Sequence, residues 1–403
     1  IETRWQEASG SVTLIDDRDI EDGRAPLQPT DALNRAPGVL VQNRNNFAQN
    51  PRVSIRGFGA RAPFGIRGVR VRLDGIPLTT VDGQAQIDAI DPSSIQTIEV
   101  LRGANAVLHG NGSGGLLDYR SYPSHQSQRA RIETQLGGYD LRRLHAAYSG
   151  QADKLAVRGA ITQLEQDGYR DQSSVRRRNA TLRLDHRQDE RDWFAILNHL
   201  DNPLAEDPGA LTQQQLKSDR SQAARLASNM DAGQEVTQNI ASVGMTQRYR
   251  EDNHTLRLQR WWTERDFQQQ LPFPGDSLIS YDRQFAGGTL YYQRPVGELI
   301  AHAQLSLEDQ QDDRQRYCRN TALQPYICRS GISDDLALDQ DETATNVGLG
   351  FQLTGTVAEQ RGRWVVGLRN DHLRMEIDDN LRAGGIDNSG KRVYDETNYS
   401  LGY

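Results

Sequence analysis

Residues 52–115 carry Arg52-Val-Ser-Ile-Arg-Gly-Phe-Gly-Ala-Arg61, Phe64-Gly-Ile-Arg-Gly-Val-Arg-Val-Arg-Leu-Asp-Gly-Ile-Pro77, Asp82-Gly-Gln84, Ile98-Glu-Val-Leu-Arg-Gly103 and His109-Gly-Asn-Gly-Ser-Gly-Gly115. Short runs of β-forming residues alternate here with glycine, the pattern of a small β domain with tight, closely approached loops. In Val53-Ser-Ile-Arg56 and Val69-Arg-Val-Arg-Leu73 one face is apolar and the other carries arginine. Asp74-Gly75 reads as a tight turn, and Pro77 confines the next strand to an edge.

Upstream, Val12–Ile15 and Val39–Val41 read as short strands, residues 16–20 as a turn, and Thr30–Gly38 as a short helix capped by Thr30 and stopped by Pro37-Gly38. Residues 92–95 suggest one helical turn before the buried strand at 98–101.

Beyond about Tyr122 the pattern changes. Leu155, Val157, Gly159 and Ile161 alternate with Ala156, Arg158, Ala160 and Thr162, and Val347, Leu349, Phe351 and Leu353 alternate with Gly348, Gly350, Gln352 and Thr354. About eleven such segments recur, near 129–137, 139–150, 153–164, 176–187, 190–201, 236–249, 252–267, 282–294, 297–310, 341–356 and 361–376. Most reach the roughly 9–11 residues that a tilted strand needs to cross a bilayer. After the first, the gaps are long and short in strict turn, as in an outer-membrane barrel with outer loops and periplasmic turns. Tyr139, Tyr148, Trp193, Trp261, Trp262, Tyr281, Tyr291, Tyr292 and Trp364 would form its aromatic girdles. Residues 399–403 read as a twelfth strand beginning, so the chain is expected to stop partway round a larger barrel.

Composition agrees with a wet-interior barrel. Only 36% of the 403 residues are apolar and mean hydropathy is -0.73, lean for a water-soluble globule of this size. A net charge of -7 and a pI near 5.7 argue against general nucleic-acid binding. The histidines show no metal-ligand spacing, no apolar run is long enough for a membrane helix, and no signal peptide is recognisable, which a mature chain would have lost. Cys318 and Cys328, ten residues apart in a polar segment, suggest a disulfide loop in an oxidising compartment.

Catalytic readings fail on context. Gly110–Gly115 lacks the Lys-Ser/Thr and following helix of a phosphate loop, and Gly65-Ile-Arg-Gly68 lacks the strand-helix-strand unit of a dinucleotide site. No Gly-x-Ser-x-Gly elbow occurs with a plausible partner order. Arg56, Glu99 and Arg102, charges within short apolar strands, are costly unless paired, so an ionic cluster is expected. Arg61, Phe64, Asp82 and Gln84 lie on glycine-rich turns suited to meeting a ligand.

With both halves in view, the chain resembles TonB-dependent outer-membrane receptors. Ile55-Arg-Gly57, Leu73–Pro77, Ile98–Gly103 and Gly110–Gly115 look like that family's plug signature, in its order. The resemblance implies an α+β plug over residues 1–122 and, over 123–403, roughly half of an all-β transmembrane barrel of about 22 strands. Residues 56–61, 64–68, 82–84 and 207–215 are most similar to the branch holding the pyrroloquinoline-quinone receptor and ferric-citrate-type receptors. Ala104 stands where the family usually has proline, and His109-Gly110 where it usually has Tyr-Gly. A TonB box is not recognisable and is expected upstream of Ile1.

What the resemblance implies is energy-driven import across the outer membrane of a Gram-negative bacterium, with no enzymatic step, cofactor or metal site. A ferric siderophore or chelate would be the cargo, an anionic cofactor such as pyrroloquinoline quinone the alternative, and a passive porin the rival from another class. Arg61, Phe64, Arg67, Asp82 and Gln84 would meet the ligand, and Arg56, Glu99 and Arg102 would lock plug to wall. The TonB complex, the small ligand and outer-membrane lipid would be the partners.

Overall fold

The computed structural model describes residues 11–21, 26–43, 45–62, 64–110, 112–122, 128–249, 253–320, 328, 335–357, 362–382 and 385–402. Asn111 of the glycine stretch, Tyr403 and residues 1–10 lie outside them.

The N-terminal part is built from β1 (Ser11–Ile15), α1 (Asp17–Glu21), β2 (Val39–Gln42), β3 (Arg52–Ile55), β4 (Ile66–Arg67), β5 (Arg70–Leu73), β6 (Ile76–Pro77), β7 (Gln84–Ala85), β8 (Ile95–Arg102) and β9 (Leu116–Ser121). Its main sheet runs β1-β8-β9-β5-β6, with only β5 and β9 parallel; β2-β3 and β4-β7 are separate two-stranded ladders. The β5-β6 hairpin turns on Asp74 and Gly75, both at positive φ, the conformation that a two-residue primed turn demands. Two local expectations change. Residues 16–20 hold a helical turn rather than a plain one, with Asp16 Oδ1 accepting from Asp19 N, whereas 30–38 supplies only a 3-10 turn at Leu33–Arg35.

The remainder forms one antiparallel sheet of 12 strands among the described residues, each paired with its sequence neighbour. They are β10 (Arg129–Gly137), β11 (Leu141–Ala152), β12 (Leu155–Gln166), β13 (Val175–Gln188), β14 (Arg191–Glu206), β15 (Gly233–Tyr249), β16 (His254–Gln270), β17 (Gly275–Val296), β18 (Leu299–Arg319), β19 (Asp335–Val357), β20 (Gly362–Asp379) and β21 (Gly390–Gly402). Ile161, Leu182, Leu197, Leu307, Phe351 and Leu368 are exposed on its outer face, while Gln238, Gln259, Arg265, Glu308, Gln310 and Arg369 are buried on the inner one. Apolar outside and polar inside is what a lipid-facing wall around a wet interior requires. No helix among the described residues is long and apolar enough to cross a membrane.

The plug lies against the inner face. Its core of Ile15, Ile55, Val71, Ile98, Val100, Leu117 and Tyr119 is continuous with Ile196, Ile240 and Trp261 of the wall. Trp261 therefore does not belong to a girdle: it is 4% exposed, packed on the plug, and Tyr281 likewise turns inward to Gln86 and Arg265. Trp193, Trp262 and Tyr148 are exposed on the outer side.

Candidate functional site

The contact between plug and wall is made largely of charge and amide. Asp88, in the segment after β7, accepts from Arg265 of β16 at 2.6 Å, with the two side chains 3% and 2% exposed. Arg265 also donates to Gln238 at 2.6 Å and to Tyr281 at 3.2 Å. Arg70 of β5 pairs with Glu308 of β18, both buried. Asp91 receives Thr162 of β12 at 2.6 Å, Ser94 Oγ at 2.9 Å and Ser93 N at 3.1 Å, and Thr162 in turn meets His145 at 2.7 Å. Lower on the wall, Arg183 approaches Asp74 at 3.6 Å and Gln259 donates to the Asp74 carbonyl. Arg369 of β20 donates to the Leu108 carbonyl at 2.7 Å.

Toward the long loops the plug segment 46–49 takes over. Asp207, buried at the end of β14, accepts from Asn46 at 3.1 Å and Gln49 at 2.5 Å, and Gln269 donates to the Ala48 carbonyl. Phe47 and Ala48 pack on Val175 and Ala205. Above them Arg170 binds the carbonyls of Pro208, Gly209 and Gln222, fusing the β12-β13 loop to the β14-β15 loop with its α2 (Gln213–Ser218) and α3 (Arg225–Met230).

Of the residues expected to meet a ligand, Arg61 and Phe64 are exposed. Arg67, Asp82 and Gln84 come together: Arg67 donates to the Asp82 carbonyl and to Gln84 Oε1, each at 3.1 Å, and Asp82 N approaches Gln310 of the wall at 3.4 Å. These form a polar knob beside the β4-β7 ladder, with Arg67 exposed and Asp82 and Gln84 half-buried.

The expected lock is corrected by the geometry. Glu99 pairs with Arg120 of its own sheet at 3.2 Å. Arg102 donates to the Pro37 carbonyl at 2.6 Å, to Ser11 and to Thr13, all within the plug. Arg56 is exposed at φ 50°, and among the described residues its side chain makes no ion pair. Of the three, only Glu99 has an ion-pair partner among the described residues, and it comes from the neighbouring strand β9. The wall contacts fall instead to Arg70, Asp74, Asp88 and Asp91. A signal for them exists in the sequence, since Asp88 interrupts the apolar Ile87–Ile90 stretch, Asp91 ends it, and Arg70 lies in the Val69–Leu73 alternation.

Electrostatics inside the plug follow from burial and arginine. Burial alone would raise Asp118, but Arg72 and Arg120 overcome it and hold the carboxyl below its usual range. Burial lifts Glu99 above its usual value, with Arg120 opposing. His109, 3.1 Å from Arg72, is held neutral, its pKa pushed well down by burial and then by Arg72, Arg70 and Arg369. Cys318 and Cys328 are joined in a disulfide with Cα atoms 5.7 Å apart. Among the described residues no cluster of His, Cys, Asp and Glu is arranged to hold a metal.

Comparison with known proteins gives a consistent picture. Residues 5–116 match the TonB-dependent Receptor Plug Domain. The hemin receptor of Yersinia enterocolitica is 29% identical over 116 residues, which are 28% of this chain and 16% of that receptor. In fold, the ferric citrate transporter FecA in unliganded form superposes with TM-score 0.81 at 17% identity, over 98% of this chain and 60% of FecA. The ferric yersiniabactin uptake receptor FyuA from Yersinia pestis superposes with TM-score 0.72 at 16% identity, over 98% and 61%. The chain thus spans less than two thirds of each of these proteins.

Proposed function

We propose, for a chain whose residues 5–116 match the TonB-dependent Receptor Plug Domain and whose fold superposes on that of FecA, active import of a scarce anionic iron chelate across the outer membrane of a Gram-negative bacterium. One observation carries it: the plug is seated in the wall through hydrogen-bonded ion pairs such as Asp88–Arg265 and Arg70–Glu308. A wide pore that must be closed at rest needs a plug. Charge and amide contacts suit a plug that has to move, because water can replace each partner as it leaves, whereas a dry apolar seam would have to expose its surface.

In this reading residues 1–122 are the plug and 123–403 the wall, lipid surrounds the apolar belt, and the TonB complex pulls from the periplasmic face. Arg61, Phe64, Arg67, Asp82 and Gln84 greet the cargo. The iron-chelate class draws on the ligands named for the hemin receptor, FecA and FyuA. Uptake of radioactive iron by a deletion strain carrying the receptor, offered ferric citrate, hemin or a ferric siderophore, tests the reading. Uptake should need both the receptor and TonB. Equal uptake without TonB, or high conductance of the purified receptor in planar bilayers, would overturn it in favour of a passive pore, and rescue by pyrroloquinoline quinone alone would replace the cargo.

A further inference from the structure

On the inner face of β11–β14, just beneath the plug segment 46–49, lies a group of buried polar side chains that the contacts above do not use. Arg143 and Arg177 are 5% and 7% exposed. They occupy one row, Arg143 opposite Leu164 and Leu164 opposite Arg177. Their stems are rooted about 10 Å apart by the spacing of adjacent strands, so both guanidinium groups can close on one small group. Arg177 stands at the register shift between β13 and β14, the kind of bulge that re-aims a side chain, and lies over the Phe47 ring at 5.5 Å.

Among the described residues neither arginine has an ion pair or hydrogen-bond partner. Around them, Arg177 Nε, Asn179 Nδ2 and both side-chain polar atoms of Asn202 are buried and unpartnered. Asp88 and Asp91 act on Arg177 through space but neither pairs with it, since Asp88 is taken by Arg265 and Asp91 accepts from Thr162, Ser93 and Ser94. A buried cation without a direct ion-pair or hydrogen-bond partner is unfavourable, and unpartnered buried amides add to that cost. An anion accepting from both guanidinium groups and from the Nδ2 groups of Asn179 and Asn202 would satisfy these donors at once, leaving only the acceptor Asn202 Oδ1 unserved.

We propose that Arg143, Arg177, Asn179 and Asn202 form an interior oxyanion subsite, roofed by Phe47 and Ala48, that takes a carboxylate or phosphate group. The subsite rests on the import reading only for the source of that group, which would be an anionic arm of the cargo passing below the plug apex; binding itself does not depend on it.

The test is thermal unfolding and titration calorimetry of the detergent-solubilised receptor with citrate and with inorganic phosphate, at ionic strength held constant with chloride. Wild type should show a saturable rise in Tm, and Arg143→Gln and Arg177→Gln should each weaken binding at least fivefold. In anion-free buffer Arg177→Gln should unfold no lower than wild type, because it removes a buried charge that has no direct partner. Saturation by citrate alone assigns a carboxylate group, and by phosphate alone a tetrahedral oxyanion. A shift no greater than that of chloride, a change under fivefold in both variants, or an anion-free Tm lowered by Arg177→Gln overturns the subsite. Iron uptake measured in parallel keeps the two readings apart: uptake without anion binding removes the subsite alone, and anion binding without uptake removes the import reading alone.

Discussion

Asp88→Asn tests how the plug is held. The substitution keeps an acceptor for Arg265 but removes the charge, leaving a guanidinium 2% exposed among neutral partners, Gln238 and Tyr281. Breaking a buried pair from one side costs about 3–5 kcal/mol; a retained neutral hydrogen bond returns about 1 kcal/mol of that. With a tenfold change for every 1.4 kcal/mol or so, a net loss of about 2–4 kcal/mol raises the population of unseated plug roughly 30- to 700-fold. Ala89 is fully buried and both native cysteines are in the disulfide, so a cysteine placed at Ala89 reports seating by its labelling rate. Labelling and passive conductance should both rise in Asp88→Asn, while Asp88→Leu with Arg265→Met, which removes both charges, should stay near wild type. A single variant that labels no faster than wild type, or a double variant as open as the single, would refute the argument.

Three further outcomes are expected. Asp207→Ala leaves Asn46 and Gln49 without their shared acceptor, a loss of about 1–3 kcal/mol, and hydrogen exchange should quicken in 46–49 but not in β8. Gly59 sits at φ +85° with the site of a Cβ 2.6 Å from Val53 O and 2.9 Å from Arg67 O, so Gly59→Ala should sharply lower the yield of folded receptor in outer-membrane fractions, whereas normal yield would contradict the geometry. Because the folded-state pKa of His109 lies below its ordinary value of about 6.5, the unfolded chain binds the extra proton first; stability should be full above that value and fall as pH drops beneath it, and His109→Leu should flatten this slope in denaturant titrations between pH 7 and 5.

The wall was legible wherever an apolar outer face against a polar inner one imposes alternation. In the Leu155–Ile161 run and the Val347–Leu353 run the period of two follows directly from an apolar outer face and a wet inner one. Toward the ends of the longer strands that constraint lapses, and both faces turn polar. Hence β17 begins at Gly275 rather than 282, β19 at Asp335 rather than 341, and β21 at Gly390 rather than 399. Backbone ladders hold these extensions, as in Lys391 opposite Glu376 and Asp276 opposite Cys318, and such ladders leave no mark on hydropathy.

The site was legible in kind but not in partner, and the reason lies in cross-strand register. Arg72 stands opposite Asp118 on β9, and Asp118 opposite Glu99 on β8. With Arg120 one step along on the same face of β9, these four make a ladder of alternating charge, Arg72–Asp118–Arg120–Glu99, that closes on itself within the plug. Glu99 therefore has no charge to spare for the wall. Arg70, two residues before Arg72 and on the same face, stands opposite Leu116, which offers no counter-charge, so its guanidinium goes to Glu308. Asp88 and Asp91 lie between β7 and β8 with no strand neighbour of their own, and they meet the wall through Arg265 and Thr162. An embedded charge shows from sequence that a partner is required; whether that partner is internal or on the wall depends on what stands opposite in the sheet, and the register that decides it exists only in the folded chain.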